Sequence, residues 1–171
     1  MFFALWPDAQ TLDALDALAA QGARQCGGRR VHRESVHLTL AFIGAVSPEQ
    51  LELLHEIARG VTADAFDLVL DRLGYWPHNR ILWAGCSAPP PRQHRLSTTL
   101  AEPLAAAGFQ LDQRPQLPHL TLVRQARCAD LPAFGPPVQW HIGAFVLVES
   151  LLQPAGALYR ELARWPLRER A

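Results

Sequence analysis

Apolar residues recur at helical spacing in some segments and alternate with polar residues in others, which predicts a chain of mixed helices and strands. Leucines three positions apart predict a helix over 8–21 with Asp8 as its N-cap. Helices are also predicted from Ser47 to about Arg59 and over 92–107, where Pro103 should kink or divide the helix. The runs that predict strands are 2–6, 37–43, 66–73, 81–86, 119–123, 140–149 and 158–165. Turns or loops are expected at 27–30, 74–80, 87–91 and 132–137, and an extended segment at 112–118.

One four-residue phrase, His-Leu-Thr-Leu, occurs twice. It spans 37–40 and 119–122, and the two copies lie 82 residues apart. Because side chains alternate faces along a strand, the histidine and threonine of each copy share one face and the leucines share the other. Each copy therefore predicts a strand with an apolar face for the core and a polar face that carries histidine and threonine.

The order of elements around the two copies also repeats. Strand, helix and HLTL strand cover 2–43, and the same succession covers 81–124. A duplication of this kind predicts that the two HLTL strands are pseudo-symmetric partners whose polar faces meet in one cleft. We therefore expect one domain over 1–171, made of two pseudo-repeated lobes.

Paired histidines and threonines on facing strands fit the chemistry of a phosphodiester. One imidazole can take a proton from water while the other gives a proton to the leaving oxygen. The two hydroxyls can donate hydrogen bonds to the non-bridging oxygens. A single HLTL copy could arise by chance, but two copies in matched halves favour this interpretation. A zinc site is a poor alternative, because neither histidine has a third ligand at suitable spacing.

The charge composition narrows the class of protein. The 171-residue chain carries 16 basic and 16 acidic residues, and every basic residue is arginine. The absence of lysine excludes a lysine nucleophile and argues against a ligase that adenylylates lysine. Zero net charge argues against broad electrostatic binding to long nucleic acids, although it is compatible with a pocket for one phosphate.

The cysteine pattern and the N-terminal segment predict a cytoplasmic protein. Cys26, Cys86 and Cys128 are odd in number and match no metal motif, so we expect free thiols in a reducing compartment. The first ten residues lack the basic region of a signal peptide, and no apolar stretch is long enough to span a membrane. We expect a monomer without a membrane or metal partner.

Longer segments around the motifs resemble a known family. Paired H-x-T-x motifs at this separation are the signature of the two-histidine (2H) phosphoesterases. Over nearly its whole length the chain is similar to bacterial RNA 2′,3′-cyclic phosphodiesterases of the LigT type, also called 2′-5′ RNA ligase-like proteins. The segments that carry the resemblance are FFALWPD at 2–8, HLTLAFIG at 37–44, RILWAG at 80–85, PHLTLVR at 118–124, LVES at 147–150 and LARWPL at 162–167.

The resemblance implies a fold and a reaction. The fold would be a bilobal α+β structure in which two pseudo-symmetric antiparallel sheets line a central cleft and helices pack outside. The reaction would be hydrolysis of a terminal 2′,3′-cyclic phosphate to a 2′-phosphomonoester, without a metal or cofactor. His37 would be the proton donor and His119 the proton acceptor, although the identical motifs leave this assignment open on the residues alone. Weak reversible 2′-5′ RNA ligation is not expected as the main function.

The phosphate-binding residues implied by the resemblance are Thr39, Thr121 and Arg124. Arg124 has the strand parity of the leucines, so it reaches the cleft only if the strand ends or bulges before it. A surface ion pair is the alternative role for this side chain. Strand parity places Phe42 in the core, and the apolar run around Trp83 places that residue there too.

Other functions are compatible with the sequence. The substrate would be an RNA end or a small cyclic nucleotide, and the same chemistry on ADP-ribose cyclic phosphate is an alternative. A module that binds a nucleotide or an RNA end without turnover is another, although binding alone would not need a matched acid and base. Arg29, Arg30 and Arg33 either guide an RNA end or form a solvated loop. The five histidines outside the motifs are expected to be surface or structural residues.

Overall fold

A computed structural model describes residues 1–111, 117–153 and 156–169. Within these ranges the structure has three helices and ten strands. The strands form an eight-stranded and a two-stranded antiparallel sheet. The helices are α1 (Ala9–Cys26), α2 (Pro48–Gly60) and α3 (Pro91–Ala106), with a short 3₁₀ turn at Arg33–Ser35. The strands are β1 (Phe2–Leu5), β2 (Arg29–Arg30), β3 (Leu38–Phe42), β4 (Phe66–Leu70), β5 (Arg72–Trp76), β6 (Ile81–Gly85), β7 (His119–Arg124), β8 (Val138–Ile142), β9 (Ala144–Gln153) and β10 (Gly156–Pro166). None of the helices in the described ranges is both long and apolar enough to cross a membrane.

Two of the three helices, α1 and α2, begin at the capping residues that the sequence indicates. The Asp8 carboxylate accepts a hydrogen bond from the Thr11 backbone N–H at 2.7 Å, at the start of α1. Ser47 and Gln50 form a reciprocal capping box at the start of α2. Pro103 does not divide α3, because it lies in the last turn, where its missing N–H removes one bond near the helix end.

Two predicted strands are each two strands in the structure. The strand predicted over 66–73 divides at Asp71 into β4 of the small sheet and β5 of the large one. The turn expected at 74–80 is shorter, since β5 continues to Trp76 and pairs there with Ile81. The strand predicted over 140–149 is two strands, because the chain passes at Gly143 from β8 in the small sheet to β9 in the large one. The segment expected to be extended at 112–118 lies outside the described residues, apart from its last two.

The two HLTL strands are neighbours in the large sheet. Its order is β10-β9-β1-β3-β7-β6-β5, with β2 paired to the end of β7. The strands β3 and β7 meet in antiparallel register at Leu38↔Leu120. The predicted α+β fold with two antiparallel sheets is confirmed, but the two sheets are not pseudo-symmetric. Both motif strands belong to the large sheet, and the described residues that line the cleft include none from the two-stranded sheet.

The helices cover the leucine face of the HLTL strands. α1, from the first half, packs against β7, and α3, from the second half, packs against β3. Gly22 allows the close approach of α1, since a Cβ there would lie 2.3 Å from Leu82 Cδ2. The motif leucines are buried beneath the helices, which leaves the opposite face of β3 and β7 for the cleft.

The cysteines differ from the expectation of three free thiols. Cys26, at the end of α1, and Cys128, after β7, form a disulfide across 102 residues, with their Cα atoms 4.5 Å apart. Cys86 is a free thiol, and its burial raises its pKa to about 11. The expectation is therefore wrong for two of the three, because the packing of α1 against β7 brings distant residues together.

Candidate active site

A cleft of about 440 Å³ opens on the polar face of the HLTL strands. This volume lies within the range of small-molecule binding sites. All five predicted site residues line it: His37, Thr39, His119, Thr121 and Arg124. Among the lining residues that the structure describes, none is acidic, so the cleft favours an anionic ligand.

The register between the two motif strands explains how their polar side chains converge. The two strands meet in antiparallel register at Leu38↔Leu120, with the residues before and after each leucine on either side of this point. His37, Thr39, His119 and Thr121, which flank these leucines, all line the cleft. The two histidines and two threonines are therefore brought together on one face.

A β-bulge brings Arg124 onto the same face as this cluster. In the pairing of β6 with β7, Leu82 opposes Val123 but Trp83 opposes Thr121, so Leu122 is an extra residue. Leu122 and Val123 are both fully buried, and Arg124 returns to the cleft face. The bulge that Arg124 requires to reach the cleft is therefore present.

The first motif carries a bulge at the equivalent position, which corrects the placement of Phe42. Phe3 opposes Ala41 and Ala4 opposes Thr39, so Leu40 is the extra residue in β3. Leu40 and Ala41 are both buried, whereas Phe42 is 57% exposed and lines the cleft. The prediction of a core position for Phe42 is wrong, because the bulge reverses its parity.

The sequence did contain a signal for Phe42. The six-residue segments HLTLAF and HLTLVR align Phe42 with Arg124. A bulge that turns the sixth residue of one motif toward the cleft should, by the duplication, do the same in the other.

His37 lies in an aromatic cage. Its ring stacks on Phe2 with centroids 4.7 Å apart and on Trp6 at 5.7 Å, and the ring of Tyr159 meets it edge-on at 5.2 Å. Burial lowers the pKa of His37 to about 4, against an opposing hydrogen bond to the Ser35 carbonyl. His37 is therefore a neutral imidazole in the free protein near neutral pH.

The hydrogen bond of His37 determines its tautomer. Nδ1 lies 2.8 Å from the Ser35 carbonyl oxygen, which can only accept, so Nδ1 carries the proton. This leaves Nε2 as the nitrogen available to a ligand.

His119 repeats this arrangement in the second half. Its Nδ1 lies 2.8 Å from the carbonyl oxygen of Leu117, also two residues earlier in the chain. Trp76 packs edge-on against the ring, with centroids 4.5 Å apart. Burial, followed by the positive charge of Arg124, lowers the pKa of His119. Both histidines thus present an unprotonated Nε2, and Arg124 acts electrostatically on both.

The cage around His37 is the part of the site that sequence reasoning missed. Phe2 and Trp6 come from the N-terminal segment and Tyr159 from β10, so residues from both ends of the chain enclose one imidazole. These residues have no counterpart in the repeat pattern, and only the sheet order β10-β9-β1-β3 assembles them.

Two other candidate residues are arginines held by ion pairs, and a third is a tryptophan in the core. Arg30 and Arg33 form ion pairs with Asp16 and Asp13 of α1, so their guanidinium groups are tied to that helix. Trp83 is 3% exposed, as predicted for a core residue.

Histidines outside the motifs lie both in the cleft and away from it. His32 lines the cleft, whereas His141 lies between Asp67 and Glu169 at the small sheet. Within 1–111, 117–153 and 156–169, no group of three histidine, cysteine or carboxylate side chains is arranged to hold a metal ion.

Comparisons with known proteins agree with this geometry. A family model described as "LigT like Phosphoesterase" matches residues 5–83. The chain is 34% identical over 141 residues to an RNA 2′,3′-cyclic phosphodiesterase of Escherichia coli (strain K12), covering 82% of this chain and 80% of that one. It is 30% identical over 149 residues to an RNA 2′,3′-cyclic phosphodiesterase of Archaeoglobus fulgidus, covering 80% and 82%. The crystal structure of E. coli LigT complexed with 3′-AMP matches with a TM-score of 0.87 at 32% identity, over 97% of this chain and 96% of that one.

Proposed function

The chain belongs to the LigT-like phosphoesterase family, and on this premise we propose that it hydrolyses 2′,3′-cyclic phosphate ends of RNA or nucleosides to 2′-phosphomonoesters, without a metal or cofactor. The observation that carries the proposal is the pair of imidazoles with matched tautomers, each next to a threonine, in a cleft without acidic lining among the described residues. A relative of this fold binds 3′-AMP, and this supports a nucleotide as the ligand of this chain.

The reaction needs one proton acceptor and one proton donor. His119 takes a proton from water at Nε2, and the water oxygen forms a bond to phosphorus. The bond from phosphorus to O3′ breaks, and the Nε2–H of protonated His37 gives its proton to that oxygen. The product is a 2′-phosphate with a free 3′-hydroxyl, and proton exchange with solvent restores both imidazoles.

The pKa of His37 has to rise before this residue can act as an acid. A phosphodiester anion beside Nε2 favours the charged imidazolium and so offsets the burial that disfavours it. The stacked faces of Phe2 and Trp6 also favour a cation once it forms. The acid is therefore created by substrate binding, while His119 supplies the unprotonated Nε2 of the base.

The remaining site residues hold the phosphate. The hydroxyls of Thr39 and Thr121 donate to its non-bridging oxygens, and the Arg124 guanidinium binds the same group as a bidentate cation. Charge increases on these oxygens in the transition state, so a fixed guanidinium lowers the barrier more than it strengthens ground-state binding.

Phe42 supplies the surface for the nucleobase. It is the exposed aromatic side chain that the first bulge turns into the cleft, at the position equivalent to Arg124. Base stacking on an aromatic ring is worth about 1–3 kcal/mol and tolerates any base. Phe42→Ala should therefore raise KM for every cyclic nucleotide, and Phe42→Trp should keep the wild-type value.

Phosphorus NMR tests the proposed reaction directly. A 2′,3′-cyclic nucleotide or a short cyclic-ended RNA is incubated with the protein and EDTA, beside His37→Ala and His119→Ala. The exposed His94 of α3 provides a matched control as His94→Ala. Conversion to a 2′-phosphate by the wild type and the control, but not by the two site variants, is the expected result.

Other outcomes of this experiment distinguish the alternatives. A 3′-phosphate product would overturn the assignment of His37 to O3′. Saturable binding without turnover would favour a nucleotide-binding module, which would not need a matched acid and base. Faster turnover of ADP-ribose cyclic phosphate than of any nucleotide end would move the same chemistry to that substrate.

We also propose that the chain is a single domain of two interlocked lobes, monomeric and cytoplasmic. Because the helix of each half packs against the motif strand of the other, neither half would bury its leucine face alone. Light scattering after size exclusion tests the monomer. Cell fractionation tests the location, and recovery of the protein with an oxidised Cys26–Cys128 disulfide in an oxidising compartment would overturn the cytoplasmic assignment.

A further inference from the structure

We infer that Arg29 of β2 forms a second phosphate subsite beside Arg124, which binds the phosphodiester on the 5′ side of the terminal nucleotide. The inference rests on the proposed function, since it takes the reacting phosphate to lie at the histidines and Arg124. It extends that function by assigning a residue that would favour RNA ends over mononucleotides.

The register of β2 places Arg29 next to Arg124. The two residues are a directly opposed pair in the antiparallel pairing of β2 with β7. Opposed residues project from the same face of a sheet, with Cβ atoms about 5 Å apart. Both side chains are exposed and both line the cleft. Two guanidinium groups are thus presented side by side to one ligand.

Arg29 lies beyond the point where the two motif strands meet. β2 and β3 pair with the same edge of β7, β3 at Leu120 and β2 at Val123 and Arg124, so Arg29 lies level with Arg124 on that edge. Burial is the main cause of the lowered pKa of both histidines, and the positive charge of Arg124 lowers each further. Arg124 is therefore placed for the reacting phosphate, and Arg29 for the next phosphate along a strand.

The backbone that carries Arg29 is held from both sides. The Val31 N–H donates to the Leu122 carbonyl at 2.9 Å, and the Arg127 N–H donates to the Cys26 carbonyl at 2.8 Å. The Cys26–Cys128 disulfide closes the same junction. β2 itself consists of two exposed arginines and buries little apolar area. The hydrogen bonds and the disulfide therefore fix the position of its side chains rather than adding to the hydrophobic core.

Two further features fit a built site. At Gly28 the backbone has φ +89°, and a Cβ there would lie 2.5 Å from the Arg124 carbonyl oxygen, so β2 approaches β7 closely only with glycine. Arg30, the neighbour of Arg29, is directed to Asp16 on α1 instead. A guanidinium has five N–H donors, so Arg29 can keep a contact within the protein and still bind phosphate oxygens.

Two nucleotides that differ by one phosphate test the subsite without catalysis. Adenosine 2′-phosphate and adenosine 2′,5′-bisphosphate are titrated calorimetrically into the wild type, Arg29→Ala, Arg29→Lys and the control Arg59→Ala, which removes an exposed arginine from α2. The wild type and the control should bind the bisphosphate about tenfold more tightly. Arg29→Ala should abolish this preference while keeping the affinity for the monophosphate, and Arg29→Lys should keep part of it.

Hydrolysis provides the second readout and separates the two proposals. Arg29→Ala should lower kcat/KM about tenfold for a dinucleotide with a cyclic end and leave a 2′,3′-cyclic mononucleotide unchanged. Its KM for the dinucleotide should also depend less steeply on salt, by a slope of about 0.7. Equal losses on both substrates, or none on either, would overturn the subsite. A wild-type protein that hydrolyses neither substrate but prefers the bisphosphate would overturn the proposed reaction alone.

Discussion

Acidification should destabilise the protein through His37, because the folded chain resists protonation of this imidazole. Burial in the aromatic cage lowers its pKa from 6.5 to about 4. Below about pH 6.5 the unfolded chain therefore binds a proton that the folded chain does not, and stability falls as the pH falls. A tenfold difference in proton affinity is worth about 1.4 kcal/mol, so the free energy of unfolding should drop by about 2 kcal/mol between about pH 7 and pH 5. The full loss, about 3 kcal/mol, is reached only below about pH 4.

Urea unfolding at these two pH values measures the effect. His37→Asn is the informative variant, because an amide can still donate to the Ser35 carbonyl but takes up no proton. The variant should lose about 2 kcal/mol less than the wild type when the pH is lowered, whatever its stability at pH 7. His94→Asn, on the exposed face of α3, is the matched control and should follow the wild type.

A loss of equal size in His37→Asn and the wild type would refute the reasoning. The cage would then not hold the imidazole neutral, and the proposed creation of the acid by substrate would have no basis. An NMR titration of His37 extends the test, because bound inorganic phosphate should raise its pKa. A pKa that phosphate leaves unchanged would contradict the role of His37 as proton donor.

Three further predictions follow from the site and its supports. Arg124→Ala should lower kcat on a cyclic phosphate by about 10²–10³-fold, with part of the rate restored in Arg124→Lys; a loss confined to KM would contradict transition-state binding. Gly28→Ala should lower the free energy of unfolding in urea more than Gly27→Ala, because a Cβ meets the Arg124 carbonyl at 2.5 Å only at Gly28. Reducing the Cys26–Cys128 disulfide should cost about 2–5 kcal/mol of stability, measured by thermal unfolding with and without dithiothreitol, whereas an unchanged Tm would argue against the bond.

Local patterns were sufficient where a side chain interacts with its neighbours in sequence. Asp8 and Ser47 cap the helices whose starts they indicate, because an N-cap bonds to a backbone N–H two or three residues later. Alternation along a strand separated the polar and apolar faces of both motifs. The same rule failed for Phe42, because it assumes an unbroken pleat.

Contacts beyond the immediate sequence neighbours caused the other errors. The disulfide between Cys26 and Cys128 depends on the packing of α1 against β7, and cysteine spacing alone contains no information about that contact. Trp76 extends β5 because Ile81 pairs with it, although its flanking residues resemble a turn.

The sequence by itself determined which side chains share a face in each motif, and therefore that two histidines and two threonines were available together. It did so because alternation is a local property of any strand. The tertiary structure decided how the motifs meet at Leu38↔Leu120, where the bulges at Leu40 and Leu122 lie, and which rings surround His37. These features depend on strand partners and packing contacts contributed by residues far away in the chain. Apart from the repeat that aligns Phe42 with Arg124, these features have no signature in the local order of residues. They set the charge state of His37 and turn Arg124 and Phe42 into the cleft.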